Sequence, residues 1–111
     1  MKIYISGKIT GLPMDEVRKK FEQAEEDLKA AGHIPVSPVR LCDNPGLDYE
    51  DLMHIDYAMI DVCDAVALLP DWTISPGSQR EQLYASVIKR KPTEPIGRYI
   101  VKQKEQMTKG R

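Results

Sequence analysis

A chain of 111 residues is long enough for one domain with a hydrophobic core and too short for two of ordinary size. It is 41% apolar and 30% charged, with a formal net charge of −1, the balance of an average globular protein. That balance argues against a protein that coats duplex DNA, which needs a large positive excess, and no stretch approaches the ~20 apolar residues of a membrane span.

The chain opens with "KIYIS" (2–6), a short β-branched and aromatic run ended by Gly7, the pattern of a buried parallel strand. This N-terminus lacks the apolar core of a signal peptide, so a cytoplasmic protein is expected. Pro13 is suited to a first helical position. Val17, Phe21, Ala24, Leu28 and Ala31 then recur at spacings of 4-3-4-3, and Gly32 closes the helix. "HIPVSP" (33–38) predicts a second strand, placed at an edge by its two prolines. Residues 39–48 predict a loop. A second helix follows to about Val62, with Leu52, Ile55, Met59 and Val62 or Cys63 inward. "AVALLP" (65–70) is continuously apolar and predicts a central strand. "DWTISPGS" leads to a third helix over roughly 77–90, "KPTEPI" (91–96) predicts a weak fourth strand, and 97–108 a last amphipathic helix.

Strands alternating with helices predict an α/β domain: an open parallel sheet of four to five strands with helices on both faces, flavodoxin- or Rossmann-like, spanning 1–111. Ligands of such sheets bind beyond the carboxyl ends of the strands, here "SGKITG", "VSPVR" and "PDWTISPGS". Cys42 and Cys63 have no CxxC spacing and read as reduced thiols, and His33 and His54 form no zinc pattern, so no metal or organic cofactor is expected. Residues 82–111 carry eight lysines and arginines against Glu94 and Glu105. They form either a solvated helix or cations that attract an anionic small molecule.

The residues suited to chemistry lie on helices two and three. At about 100° per residue, Glu81 falls roughly 20° from Ile88, 40° from Ala85 and 60° from Tyr84, so it shares the apolar face. Asp56 falls about 40° from Leu52, close to the face of Met59 and Cys63. Buried carboxylates seldom go unpaired. These two are either satisfied by backbone donors or an ion pair with Arg40 or Arg80, or they form a catalytic pair at a glycosidic carbon, with one pKa raised by burial and the other held down. Ser75, Gly77 and Ser78 open the third helix as an ordinary cap or as an anion cradle. Ser6, Gly7, Lys8, Ile9 and Thr10 form a βα turn or a phosphate loop without P-loop spacing. Trp72 is either an aromatic wall for a flat ligand or a packed loop residue. Tyr4 is either core or a phenol that donates to the nucleophilic carboxylate.

Taken in order, "IYISGKITG", "HIDYAMIDVCDAVALLPDW" and "SPGSQREQLYA" resemble the nucleoside 2-deoxyribosyltransferase superfamily, most closely its small bacterial and phage members, over roughly 2–91. The resemblance implies Glu81 as a nucleophile forming a covalent deoxyribosyl-enzyme, Asp56 as the group that assists departure of the base, and Tyr4 as the residue that positions the nucleophile. Ser75 stands where transferases of free nucleosides resemble an Asp and the 2'-deoxynucleoside 5'-monophosphate N-hydrolases resemble a phosphate-contacting Ser. The first loop departs from those hydrolases, which carry a Ser and an Arg where this chain has Lys8 and Thr10, and Gly77-Ser78 replaces a more usual Gly-Ala or Gly-Thr. The expected function is hydrolysis of the base–deoxyribose bond of a deoxynucleotide, with base exchange or an inactive nucleotide-binding module as alternatives. The expected partner is a small-molecule deoxynucleotide or deoxynucleoside, not a nucleic acid or a membrane, in a homo-oligomer.

Overall fold

Strand β1 (Lys2–Ser6) is buried at four of its five positions, which is why its apolar run does not alternate. The computed structural model describes residues 1–41 and 44–100. In it β1 pairs in parallel with β2 (Ile34–Val36), Tyr4 opposite Val36, and on its other side with β3 (Ala65–Leu68), Tyr4 opposite Val66. The fourth strand, β4 (Thr93–Pro95), pairs in parallel with β3, so the sheet order is β2-β1-β3-β4. The Pro-containing strands are both edges, where a missing N–H costs no ladder bond. This is the α/β open parallel sheet expected, with four strands.

Alternation along the two central strands divides the core. Ile3, Ile5, Ala65 and Ala67 pack on Val17, Phe21, Ala24 and Leu28 of helix α1 (Met14–Ala30). Tyr4, Val66 and Leu68 face the other way, onto Ile60 and Cys63 at the end of helix α2 (Tyr49–Asp61) and onto Ala85. Pro13 caps α1 rather than entering it. At the other end Gly32, at φ +88°, lets its own N–H reach Lys29 O at 3.0 Å and the His33 N–H reach Leu28 O at 2.9 Å.

Three elements differ from expectation. In α2 the buried residues are Met53, Asp56 and Ile60, followed by Cys63, while Val62 is 64% exposed. The inward face is therefore turned by one residue, and Asp56 lies at its centre instead of its flank. A reciprocal cap between Asp48 and Asp51 sets the start of α2. Its end is closed from afar: Lys91 Nζ donates to Ile60 O and Asp61 O at 2.8 Å and to Cys63 O at 2.7 Å. Second, the segment before the third helix is a 3₁₀ turn, Pro70–Ile74, rather than open loop. Third, helix α3 (Pro76–Leu83) passes at once into a π turn, Tyr84–Ile88. The wider turn breaks the 100° phase, so Ala85 stays buried but Ile88 is turned out.

The last described residues, 96–100, are helical, and Tyr99 donates from its hydroxyl to Val66 O at 3.2 Å. Cys42, Arg40's side chain and the cations from Lys102 onward lie outside the described residues. Among the described residues no helix is long and apolar enough to cross a membrane.

Candidate active site

The period of two in a strand places Tyr4 and Ser6 on one face of β1. Both are buried, and they donate to the same carboxylate: Tyr4 Oη to Glu81 Oε2 at 2.8 Å, and Ser6 Oγ to Glu81 Oε1 at 2.7 Å. Glu81 reaches them because α3 starts where it does. Ser75 caps the helix, its Oγ accepting from Ser78 N at 3.2 Å and its carbonyl from Gln79 N at 2.9 Å, with Pro76 in the first turn. Glu81 is 5% exposed and Asp56, on α2, is 8% exposed.

Burial is the largest cause that raises the pKa of both carboxyl groups, and each also feels the other. For Glu81 the Asp56 hydrogen bond and charge add to the rise, against the opposing hydroxyls of Ser6 and Tyr4, and it is pushed well above the ordinary carboxylate value. For Asp56 the bonds to Glu81 and Tyr4 oppose the effect of burial. The expectation of one raised and one lowered group is thus corrected. Of the two arginines named above, Arg80 does not pair with either carboxyl: it is bound to Glu50 through both terminal nitrogens, at 2.9 and 3.0 Å. Two buried carboxyls that feel each other resist ionising together, so their titrations are linked.

The pair borders a cavity of about 500 Å³ beyond the carboxyl ends of β1 and β3, the point where the strand order reverses. Gly7, Lys8, Ile9 and Thr10 form one wall, and Ser75, Gly77 and Ser78 the first turn of α3 opposite. Tyr4 and Ser6 stand behind Glu81 and do not line the cavity themselves. Trp72 is not part of it either. Half-buried, it packs against the second core cluster, because the 3₁₀ turn draws it back onto the sheet.

Several residues that shape the cavity were not anticipated. Tyr49, Leu52 and Met53 line it together with Asp56, whereas Pro38, which also lines it, belongs to the "VSPVR" segment expected at the ligand edge. The signal existed: 49, 52, 53 and 56 follow the i, i+3, i+4, i+7 rule of one helix face. The loop after β1 is fixed by a clamp that no motif announces. Lys8 N donates to Asp71 Oδ1 at 3.0 Å, and Lys20 Nζ donates to Lys8 O at 2.6 Å and to Asp71 Oδ2 at 2.5 Å. Both polar groups of the Lys8 peptide are therefore bound by charged side chains. Gly7 is held to the sheet as well, since a Cβ there would lie 2.6 Å from Leu69 Cδ1.

Cys63 is no rival nucleophile: burial raises its thiol to about 11. Among the described residues no group of three His, Cys, Asp or Glu could hold a metal ion. The arrangement places one carboxyl oriented by two neutral donors, and a second able to give or take a proton, against an apolar chamber with polar ends.

No curated protein and no solved structure matches the chain. The family model described as a domain of unknown function (DUF4406) matches residues 1–92, which include every residue that lines the cavity, and the chain belongs to that family.

Proposed function

We propose that the protein hydrolyses the N-glycosidic bond of a 2'-deoxynucleoside 5'-monophosphate through a covalent glycosyl-glutamate. The observation that carries this reading is Glu81, buried at the cavity edge with each carboxylate oxygen held by a separate hydroxyl and Asp56 as its proton-sharing partner. The reactive form is the minority one with the proton on Asp56, since Glu81 is the more strongly raised group; in it the Glu81 carboxylate attacks the anomeric carbon while the C–N bond breaks. The bonding electrons leave with the base, and Asp56 supplies the proton that neutralises it. Tyr4 and Ser6 fix the attacking oxygens and let the anion exist in a dry site. Asp56, now ionised, then takes a proton from a water that attacks the same carbon. The ester bond to Glu81 breaks and configuration is retained.

Ile9, Leu52 and Met53 offer apolar surface to a flat base, and the first turn of α3 offers N–H groups to a phosphate. A base arriving in place of water would give transfer instead of hydrolysis. Leu83, Val87 and Ile88, each more than half exposed, support a homo-oligomer, and a substrate from the nucleotide pool supports a cytoplasmic location.

The test is a panel of deoxynucleoside monophosphates and free deoxynucleosides, with and without an acceptor base, scored for released or exchanged base by chromatography. Glu81→Ala abolishes turnover, and Asp56→Asn lowers it by more than about a hundredfold. Full activity in Glu81→Ala would sink the assignment.

A further inference from the structure

Tyr49 is the first residue of α2, and its hydroxyl stands over the opposite helix. A Cβ built on Gly77 would lie 3.4 Å from Tyr49 Oη and 3.7 Å from Met53 Sδ. The phenol oxygen therefore sits at the N-terminal turn of α3, on the cavity side. That turn is unusually rich in unused polarity. Helix N-termini leave N–H groups without intrahelical acceptors and favour negative charge. Ser75 Oγ satisfies the N–H of Ser78 and leaves that of Gly77. Ser78, 2% exposed and lining the cavity, has a buried Oγ with no hydrogen-bond partner among the described residues. An orphaned buried hydroxyl is costly, and a bound ligand is one way to satisfy it.

Tyr49 is held in place from behind. The Arg80 guanidinium lies 5.6 Å from the centre of its ring and 6.0 Å from that of Tyr57, and is fixed by the two bonds to Glu50. Glu50 first, and the Tyr49 side chain second, stabilise the charge of Arg80. A phenol polarised by a guanidinium is a better donor to a third group. Lys8 lines the facing wall.

We infer that Tyr49, held by Arg80, donates its hydroxyl proton to a phosphate monoester docked on the first turn of α3, and thereby sets a preference for phosphorylated over unphosphorylated ligands. For the identity of the remainder of the ligand this rests on the deoxynucleotide reading above; for the phosphate end it rests on the geometry alone.

The experiment measures binding by calorimetry and thermal shift with three pairs of probes. These are a deoxynucleoside monophosphate against its deoxynucleoside, 2-deoxyribose 5-phosphate against 2-deoxyribose, and inorganic phosphate against chloride. Wild type prefers the phosphorylated member of each pair. Tyr49→Phe keeps the ring and its stacking on Arg80, so the fold stays intact. It weakens binding of the monophosphate by about 10- to 100-fold, the worth of a hydrogen bond to a charged group, and shifts the free deoxynucleoside by far less. Arg80→Met moves the same ratio in the same direction by a smaller factor. Equal losses for both members of a pair would make Tyr49 a plain wall and overturn the inference. So would a wild type with no preference for phosphate in any pair. Absence of base release alongside a Tyr49-dependent preference for the sugar phosphate would refute the glycosidase reading and leave the phosphate contact standing.

Discussion

Adding one methyl group at Gly7 tests how tightly the candidate site is tied to the sheet. The new Cβ would meet Leu69 Cδ1 at 2.6 Å, Cβ at 3.0 Å and Cγ at 3.1 Å. Carbon atoms rest at about 3.5–4.0 Å, so the two chains must separate by roughly 1 Å. A new Leu69 rotamer clears the Cδ1 contact and leaves the one with Cβ. Leu69 N also donates to Ser6 O at 2.8 Å, so the separation falls on the strand end that presents Ser6 to Glu81. Overpacking of this kind costs about 1–3 kcal/mol, or roughly 5–15 °C in melting temperature for a domain of this size. Leu69→Ala alone removes a side chain that is 4% exposed and costs about 2–4 kcal/mol. In the double variant Gly7→Ala/Leu69→Ala the methyl partly fills the space the leucine vacates. The combined loss is then smaller than the sum by about 1–2 kcal/mol. Equilibrium denaturation of the four proteins in urea measures this directly. Additivity to within about 0.5 kcal/mol would refute the claimed contact.

Two further outcomes follow from the same geometry. Because burial raises both carboxyl pKa values, the folded chain retains a proton that the unfolded chain has released once pH exceeds about 4.5; the pair's contribution to stability therefore falls as pH rises from there through the folded values. Glu81→Gln removes the more strongly raised group, so its melting temperature gains on wild type towards pH 8 and the gain vanishes near pH 4; a pH-independent difference would contradict the shared-proton description. Lys91→Met keeps the aliphatic stem but frees three carbonyls at the end of α2, costing about 2 kcal/mol, or roughly 10 °C. Lys91→Arg restores only part of it, since a planar fork does not converge on three oxygens. A loss under about 0.5 kcal/mol would mean that water already serves those carbonyls.

The open parallel α/β sheet and the identity of the inward acids were legible because both depend on local pattern. Short apolar runs mark β1 as buried and β3 as central, prolines place β2 at an edge and weaken β4, and a glutamate on an apolar helix face stands out against its neighbours. What escaped depends on contacts between segments or on backbone geometry that departs from the ideal wheel. The rotation of α2 by one residue follows from its docking onto the sheet, so Asp56 was identified but its central place was not. The exposure of Ile88 follows from the π turn, which periodicity at a fixed angle cannot represent. Lys20 and Asp71 belong to no motif, and only the fold brings both to the Lys8 peptide. Trp72 was given two readings, and the 3₁₀ turn selects the packed one.

The hydrogen bonds that orient Glu81 join residues 77 and 75 positions apart. Contacts of such range form only after the intervening chain has been ordered, because the entropy of closing the loop must be met before the contact returns anything. A chain cut before Pro76 would carry Tyr4, Ser6 and Asp56 with no acid for the two hydroxyls to hold. The site thus rests on contacts that span most of the chain. Detachment of the short helix α3 from the sheet would dismantle it while leaving the β2-β1-β3 ladder in place.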